Sequence, residues 1–476
     1  MFDVLVIGGG VIGALTLREL TKYKLSVVLV EKENDVCMGQ SKANSGIVHA
    51  GYDAKPGSLK AKFNVLGNAM MKEVAFELGV KYKNCGSLVV AYSKSEIEIL
   101  NQLKKRGETN GVCDLEILNE DELKKIEPNL SNNAVGALFA KSGGIVCPYE
   151  LTIASIGNAM DNGAKLKTNF NVVKIERQGD YFNVFSENGE TLSAKVIVNA
   201  SGLNGEKTAS LIGDVSFKIG GRKGEYLLLD KESGNFVNHT VFKTPTELGK
   251  GILATQTVDG NLMLGPTAEV VDDDIAKTSN HGLNFIIKTA GEMLNNPPIF
   301  NTITSFAGIR AFSDRHDFII EQSNVDKRFI NVVGIESPGL TSAPAIAKYV
   351  VENLISNELK LIVNENFNPR RKADYFFKNL TQREKNEIIK KDKSYGKIVC
   401  RCEQITEGEI VRAIHENPKA RDLDGIKRRV RAGMGRCQGG FCQPQILQIL
   451  ARELKVPVEQ VTKKGENSQI IIGKTK

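Results

Sequence analysis

At 476 residues, 41% of them hydrophobic and 25% charged, the chain reads as globular and is too long for one core, so two or three domains are expected. No apolar run approaches the roughly 18 residues that a membrane span needs, and the apolar N-terminus lacks the basic start of a secretion signal. The net charge of +7 is unevenly held: residues 370–476 carry 25 Lys and Arg against 13 Asp and Glu, which marks the tail as a separate unit, but no recognition motif accompanies this charge and nucleic acid is not expected as a partner.

The opening stretch FDVLVIGGGVIGALTLREL reads as a short strand, a glycine turn and a helix. Gly8, Gly10 and Gly13 fit the spacing G-x-G-x-x-G, in which the first glycine permits the turn, the second lets a pyrophosphate approach the backbone and the third lets helix and strand pack. The helix N-terminus then faces the anion. A second strand, LSVVLVEK, ends at Glu31, which can accept hydrogen bonds from a ribose. The fingerprint alone does not separate NAD from FAD. Further on come a small-residue loop, GQSKANSGIVHAGYDAKPGSLKAKFN, then the strand LSAKVIVNASG ending at Ala200-Ser201-Gly202, and then RFINVVGIESPGLTSAPAIAKYV, a strand, a turn and a helix. Three distant strand-to-turn elements suit a long, extended cofactor, and the last places a helix N-terminus where it can stabilise an anionic reduced flavin.

At these residues the chain resembles the FAD-dependent D-amino-acid-oxidase-like superfamily. Within it, NSGIVHAGYDAKPGSLKA resembles the L-2-hydroxyglutarate oxidase and glycerol-3-phosphate dehydrogenase branches, and HTVFKTPTELGKGILATQTVDGNLMLGPTAE resembles the catalytic subunit of anaerobic-type glycerol-3-phosphate dehydrogenases. The resemblance implies an α/β fold with a discontinuous Rossmann-like FAD-binding domain (1–76, 145–205 and 306–363) and an inserted β-rich substrate domain (77–144 and 206–305). It implies FAD contacts at Gly8, Gly10, Gly13, Glu31, Ser41, Asn44, Ser45, Gly46, Val173, Ala200, Gly202, Gly339 and Leu340, with Thr341 and Ser342 bonding the flavin edge. It also places His49 at the flavin, as the base for an alcohol proton or as a group holding flavin and hydroxyl. Arg310 in FAGIRAFSD and Lys250 in GKGILA are candidates to bind a phosphate or carboxylate. His239, His281, His316 and His415 have no equally telling context, and Tyr226 in GRKGEYLLLD reads as core.

Eight cysteines in a chain of this length are not a disulfide scaffold. Cys37, Cys85, Cys113 and Cys147 are scattered, while Cys400, Cys402, Cys437 and Cys442 are gathered, so a reducing cytoplasm with the gathered four as metal ligands is expected. Their spacing is C-x-C, 34 residues, then C-x4-C. Four thiolates can hold a [2Fe–2S] cluster or a zinc ion, but paired zinc cysteines are usually two to four residues apart. The stretch VCRCEQIT with RRVRAGMGRCQGGFC resembles the bacterioferritin-associated-ferredoxin-like [2Fe–2S] domain, over 396–450. Lys427, Arg428, Arg429, Arg431 and Arg436 are expected to offset the negative cluster or to form a solvated helix face. Residues 364–395 read as a charged connector and 451–476 as a C-terminal tail.

A flavin takes two electrons as a hydride and a cluster takes one at a time, so the two together form a relay. An oxidase that reduces oxygen needs no relay, and the expectation is a dehydrogenase that passes electrons onward. The substrate expected is a small anionic secondary alcohol, with sn-glycerol 3-phosphate oxidised to dihydroxyacetone phosphate. The alternative is an L-2-hydroxyglutarate-type 2-hydroxy acid. A second alternative is a non-catalytic iron–sulfur carrier or redox sensor. An NAD-linked flavoprotein or a quinone-linked subunit both suit as the acceptor, the latter making a cytoplasmic protein peripheral to the membrane. The sequence leaves an oligomer open.

Overall fold

The computed structural model describes residues 1–245, 251–272, 274–371 and 376–473. The opening fingerprint folds as the strand Phe2–Ile7 and the helix Val11–Leu20. Phe2–Ile7 lies at the centre of an eight-stranded sheet, paired in parallel with Val27–Val30 on one side and Thr191–Asn199 on the other. Phe329–Val333 continues the parallel run beyond Thr191–Asn199. These strands are near-continuous apolar runs because helices cover one face and a second apolar layer the other. Helices Val11–Leu20, Leu59–Leu78, Pro148–Asp161 and Gly339–Tyr349 pack on the first face, around Val4, Val6, Leu17, Leu29, Phe63 and Ile346. Gly67 allows the close crossing of two of these helices, since a Cβ there would lie 2.1 Å from the Thr341 carbonyl oxygen.

A nine-stranded sheet stands beside the first. Its long strands Ile219–Leu229 and Thr302–Ser313 are antiparallel and register Arg222 opposite Arg310 and Tyr226 opposite Phe306. It has its own core around Leu88, Leu229, Val241, Leu264 and Ile286. A three-stranded sheet of Ile47–Val48, Gly144–Val146 and Tyr82–Lys83 connects the two halves.

The C-terminal part is small and mainly helical. Helices Glu407–His415, Leu423–Val430 and Gln443–Leu454 enclose a core of Ile410, Ile426, Ile446 and Leu450 beside the hairpin Ile398–Cys400 and Ile405–Thr406. Val461 joins that core, and Lys463 pairs with Asp424 at 2.5 Å, so the last segment folds back on the same unit. Residues 364–395 are more than a charged strand of linker: they hold the helix Gln382–Lys391 and bury Phe376 and Phe377. No helix among the described residues is long and apolar enough to cross a membrane.

Candidate active site and cluster site

Among the described residues a cavity of about 820 Å³ runs between the two sheets. One end is formed by Glu31, Lys32, Phe170 and Val172, the middle by Gly8, Gly10, Ser41, Ala200 and Gly202, and the far end by His49, Tyr226, Arg310, Ser337, Gly339 and Leu340. Gly8 has φ +109°, and a Cβ there would lie 2.4 Å from the Ala200 carbonyl oxygen. A side chain would therefore close the middle of the cavity. Gly13 does not line it, and a Cβ on Gly13 would collide with the Gly8 carbonyl at 2.0 Å. Its role is helix–strand packing. The Val11 N–H at the helix start donates to Ser41 Oγ at 2.9 Å. Glu31 accepts from the Gly9 N–H at 2.6 Å and the Glu33 N–H at 3.0 Å. Burial holds its carboxyl above the usual range, against the pull of those two donors.

The loop after the second strand is shaped by its own side chains. Asn44 accepts from the Gly46 N–H at 2.9 Å and donates to the Gln40 and Ser41 carbonyls. Gly46, at φ +66°, has no room for a Cβ because the Val146 carbonyl oxygen would lie 2.6 Å away. Three expected contacts fall elsewhere. Val173 turns outward and is 46% exposed, because side chains alternate along a strand, and Val172 is the one that reaches the cavity. The hydroxyls of Thr341 and Ser342 face inward: Thr341 accepts the His49 N–H at 2.9 Å and donates to the Ile47 carbonyl, while Ser342 donates to the Pro338 carbonyl. Lys250 lies outside the described residues.

His49 is held from three sides. Its carbonyl accepts from Asn64 at 2.7 Å and Asn68 at 3.0 Å, one turn apart on the helix Leu59–Leu78, and Ser337 Oγ lies 3.4 Å from Nε2. Arg310 and Arg222 stand directly opposite one another across two strands, an arrangement that repels unless each charge is met. Arg222 is met by Glu336 at 3.0 Å, which also holds Lys60 at 2.9 Å. Among the described residues Arg310 bonds only the Thr267 carbonyl, at 3.0 Å, and its buried Nε has no partner. Tyr226, read from the sequence as core, also reaches the cavity. Its hydroxyl is 3.5 Å from Ser45 Oγ, and burial pushes its phenol up, so it is a neutral donor beside Arg310. The signal lay in the strand's alternation, which puts Arg222 and Tyr226 on one face. His239 instead pairs with Glu127 at 2.7 Å, away from the cavity.

In the tail, the sulfurs of Cys402 and Cys437 are 3.6 Å apart, and the side chain of Cys442 lies beside that of Cys400. Backbone N–H groups of Gly433 and Glu403 lie beside the sulfur of Cys400, and those of Gly439 and Phe441 beside that of Cys437. Cys402 is exposed, Cys437 half-buried, and Cys400 and Cys442 buried.

The pattern of the FAD-dependent oxidoreductase (DAO) family matches residues 3–353, and that of the BFD-like [2Fe-2S] binding domain matches 398–452. The chain belongs to the FAD-dependent oxidoreductase family. It is 50% identical to a glycerol 3-phosphate dehydrogenase of Caloramator mitchellensis, over 100% of this chain and 99% of that one. The L-2-hydroxyglutarate dehydrogenase of Escherichia coli K12 is 33% identical over 56% of this chain and 64% of its own. Among solved structures, the FAD-bound, dithionite-reduced L-α-glycerophosphate oxidase of Mycoplasma pneumoniae superposes with a TM-score of 0.74 at 33% identity, covering 78% of this chain and 98% of that one.

The residues present suit both cofactors of this family member, FAD and a [2Fe–2S] cluster. The cavity is a long cleft with a middle of glycines and small side chains at a helix N-terminus and a half-buried carboxylate at one end, as an extended dinucleotide requires. The cysteines pair two by two, and no three of the four sulfurs lie within 4.8 Å of one another. A single zinc ion with sulfurs about 2.3 Å away would bring all four to roughly 3.8 Å from each other. Two irons, each with its own pair, match the arrangement instead. Purified without oxygen, the protein is expected to carry about one FAD and two irons per chain and to show the electron paramagnetic resonance of a reduced [2Fe–2S] centre. Stoichiometric zinc without iron would overturn the pairing argument.

The basic residues near the cluster were expected to offset it or to face solvent. The structure corrects both expectations for three of them. Arg428, Arg429 and Arg431 are buried and dock the tail on the flavin half. Asp35 takes Arg428 at 2.6 Å and Arg429 at 2.8 Å, and Arg431 joins Asp259 at 2.6 Å, Glu403 at 3.1 Å and the Tyr149 hydroxyl at 2.9 Å. Arg436 is exposed but pairs with Asp230 and Glu232.

Proposed function

We propose that the protein is a dehydrogenase that oxidises sn-glycerol 3-phosphate to dihydroxyacetone phosphate and delivers the electrons, through its cluster, to an acceptor partner. The observation that carries the substrate class is Arg310: a half-buried arginine lining the cavity, facing another arginine, with no carboxylate to meet it among the described residues. An anionic substrate supplies that counter-charge. The full-length similarity to a glycerol 3-phosphate dehydrogenase supports phosphate over carboxylate.

FAD, when bound, accepts a hydride from the carbinol carbon, and the cluster carries single electrons outward. The chain's own residues do the rest. Arg310 holds the anion, with Tyr226 and Ser45 beside it as neutral hydrogen-bonding groups. His49 Nε2 takes the hydroxyl proton, Ser337 stands at the ring and the two asparagines fix the backbone that carries it. Arg310→Ala is expected to weaken substrate binding by about 10- to 100-fold, the equivalent of losing one charge-assisted bond of roughly 1.5–3 kcal/mol, and a titration of flavin bleaching checks this.

The tail argues for a dehydrogenase rather than an oxidase. The glycerophosphate oxidase is accounted for almost entirely by the first 78% of this chain, which leaves the cluster unit as the addition. Cys402→Ser should therefore keep substrate-driven flavin reduction and turnover with a dye that oxidises flavin directly, while turnover with the protein acceptor collapses. Equal loss of both, with FAD bound, would mean that the cluster does not carry the electrons. The deciding test of the whole reading is anaerobic bleaching by a panel of anionic alcohols. Glycerol 3-phosphate should be fastest, and faster bleaching by L-2-hydroxyglutarate would replace the assignment.

A further inference from the structure

One half-buried tyrosine stands between the cavity wall and the cluster loop. Tyr149 stands in the first turn of the helix Pro148–Asp161. Its neighbour Pro148 abuts the cavity wall: a Cβ built on Gly46 would lie 3.5 Å from Pro148 Cδ, and the Val146 N–H donates to the Gly46 carbonyl at 2.8 Å. On its other side the Tyr149 hydroxyl accepts from Arg431 at 2.9 Å and donates to Met434 Sδ at 3.5 Å. Met434 belongs to the cluster loop. Gly433, just before it, lies beside the sulfur of Cys400, and Cys437 follows three residues later.

We propose that Tyr149, through Met434, is the bridge by which electrons leave the flavin cavity for the cluster. The bridge presupposes the relay proposed above. Tunnelling falls off less steeply through bonded and touching atoms than through gaps, and Tyr149 is joined to the wall side by its chain bond to Pro148 and to the loop by its contact with Met434. One electron leaves the reduced flavin, one Fe(III) of the cluster becomes Fe(II), and a flavin proton passes to solvent. The cluster then empties to a one-electron acceptor before the second electron follows. A second route runs from Tyr226 in the cavity along the strand Ile219–Leu229 to Lys231, which bonds Glu403 at 2.8 Å, and five residues of extended backbone span roughly 16 Å of it. Burial pushes the Tyr149 phenol far above its ordinary value, so it stays protonated and acts as a conductor rather than a proton donor.

The test uses the full-length holoprotein with Tyr149→Leu, Tyr149→Phe and Met434→Leu. Flavin is reduced either by glycerol 3-phosphate or by light with EDTA, and freeze-quenched samples follow the reduced-cluster resonance. The signal should appear several-fold more slowly in Tyr149→Leu and Met434→Leu, with Tyr149→Phe in between. Flavin bleaching by substrate, FAD and iron content, and the g-values of the cluster should match the wild type. Wild-type cluster reduction in Tyr149→Leu and Met434→Leu would overturn the bridge. So would slowing in Tyr149→Leu alone together with faster protease cleavage in 364–395, because the tyrosine would then only hold the halves together. If substrate fails to bleach even the wild-type flavin, the functional reading fails, while the light-driven arm still decides the bridge.

Discussion

His49→Ala is expected to slow reduction of the bound flavin by glycerol 3-phosphate about 10²- to 10⁴-fold, the usual loss for a missing general base. FAD should remain bound, since the histidine stands at the far end of a cleft whose middle and opposite end carry the dinucleotide contacts. The argument rests on how many groups fix this residue. Its N–H is held by Thr341, its carbonyl by two asparagines of the helix Leu59–Leu78, and its Nε2 faces Ser337. A histidine placed only to fill space would not need its backbone bonded at both ends and its ring nitrogen turned to the cavity. The ring is also within the same enclosure as Arg310, so an anionic alcohol bound by the arginine brings its hydroxyl to the imidazole end. Stopped-flow traces separate this loss from that of Arg310→Ala, in which the limiting rate should persist while the substrate concentration needed rises. A wild-type limiting rate in His49→Ala would remove the histidine from the proton step.

The parts of this protein that were legible in its sequence are those governed by local rules. The strand, glycine turn and helix at 2–20 follow from a run of apolar residues and glycine spacing, and the cysteine spacing in the tail is equally local. What was not legible depends on registers and surfaces that meet only in the fold. Tyr226 read as core because an aromatic in an apolar strand usually is, and only its pairing opposite Phe306, beside Arg310, puts it in the cavity. Val173 and Val172 differ by one position, and strand alternation alone decides which faces in. The inward turn of Thr341 and Ser342 comes from the bonding needs of a helix start packed against Ile47 and Pro338. The docking role of Arg428, Arg429 and Arg431 was hidden because their acidic partners, Asp35 and Asp259, lie hundreds of residues away, or some 170 in the second case. Charge counts marked the tail as a separate unit without revealing that its positive residues were matched to buried acids of the flavin half.

That matching sets up the second large effect. Asp35→Asn should loosen the tail from the flavin half by about 3–5 kcal/mol, the range for removing one partner of a buried ion pair. Asp35 is buried and serves two guanidinium groups at once, with Arg429 bonding both of its oxygens. In the variant, Arg429 keeps the Pro418 and Gly425 carbonyls but both arginines lose their counter-charge inside the protein. Burial by itself would raise the Asp35 carboxyl, but the charges of Arg429 and Arg428 outweigh it and hold the group at about 2, against an ordinary 3.8. The folded value is depressed, so the contribution is fully present above about pH 4 and is lost as pH falls through the window down to about 2. A shift of that size corresponds to roughly 2 kcal/mol of docking free energy that acid removes. Wild-type protein should therefore lose tail protection against protease as pH falls through that window. Asp35→Asn should already be unprotected at pH 7 and should show a flatter response to acid. The flavin half has its own core, so its absorbance and its reduction by substrate should survive while transfer to the cluster slows. Equal protease resistance of the variant and the wild type at pH 7 would show that Arg431 and its three partners hold the halves together without Asp35.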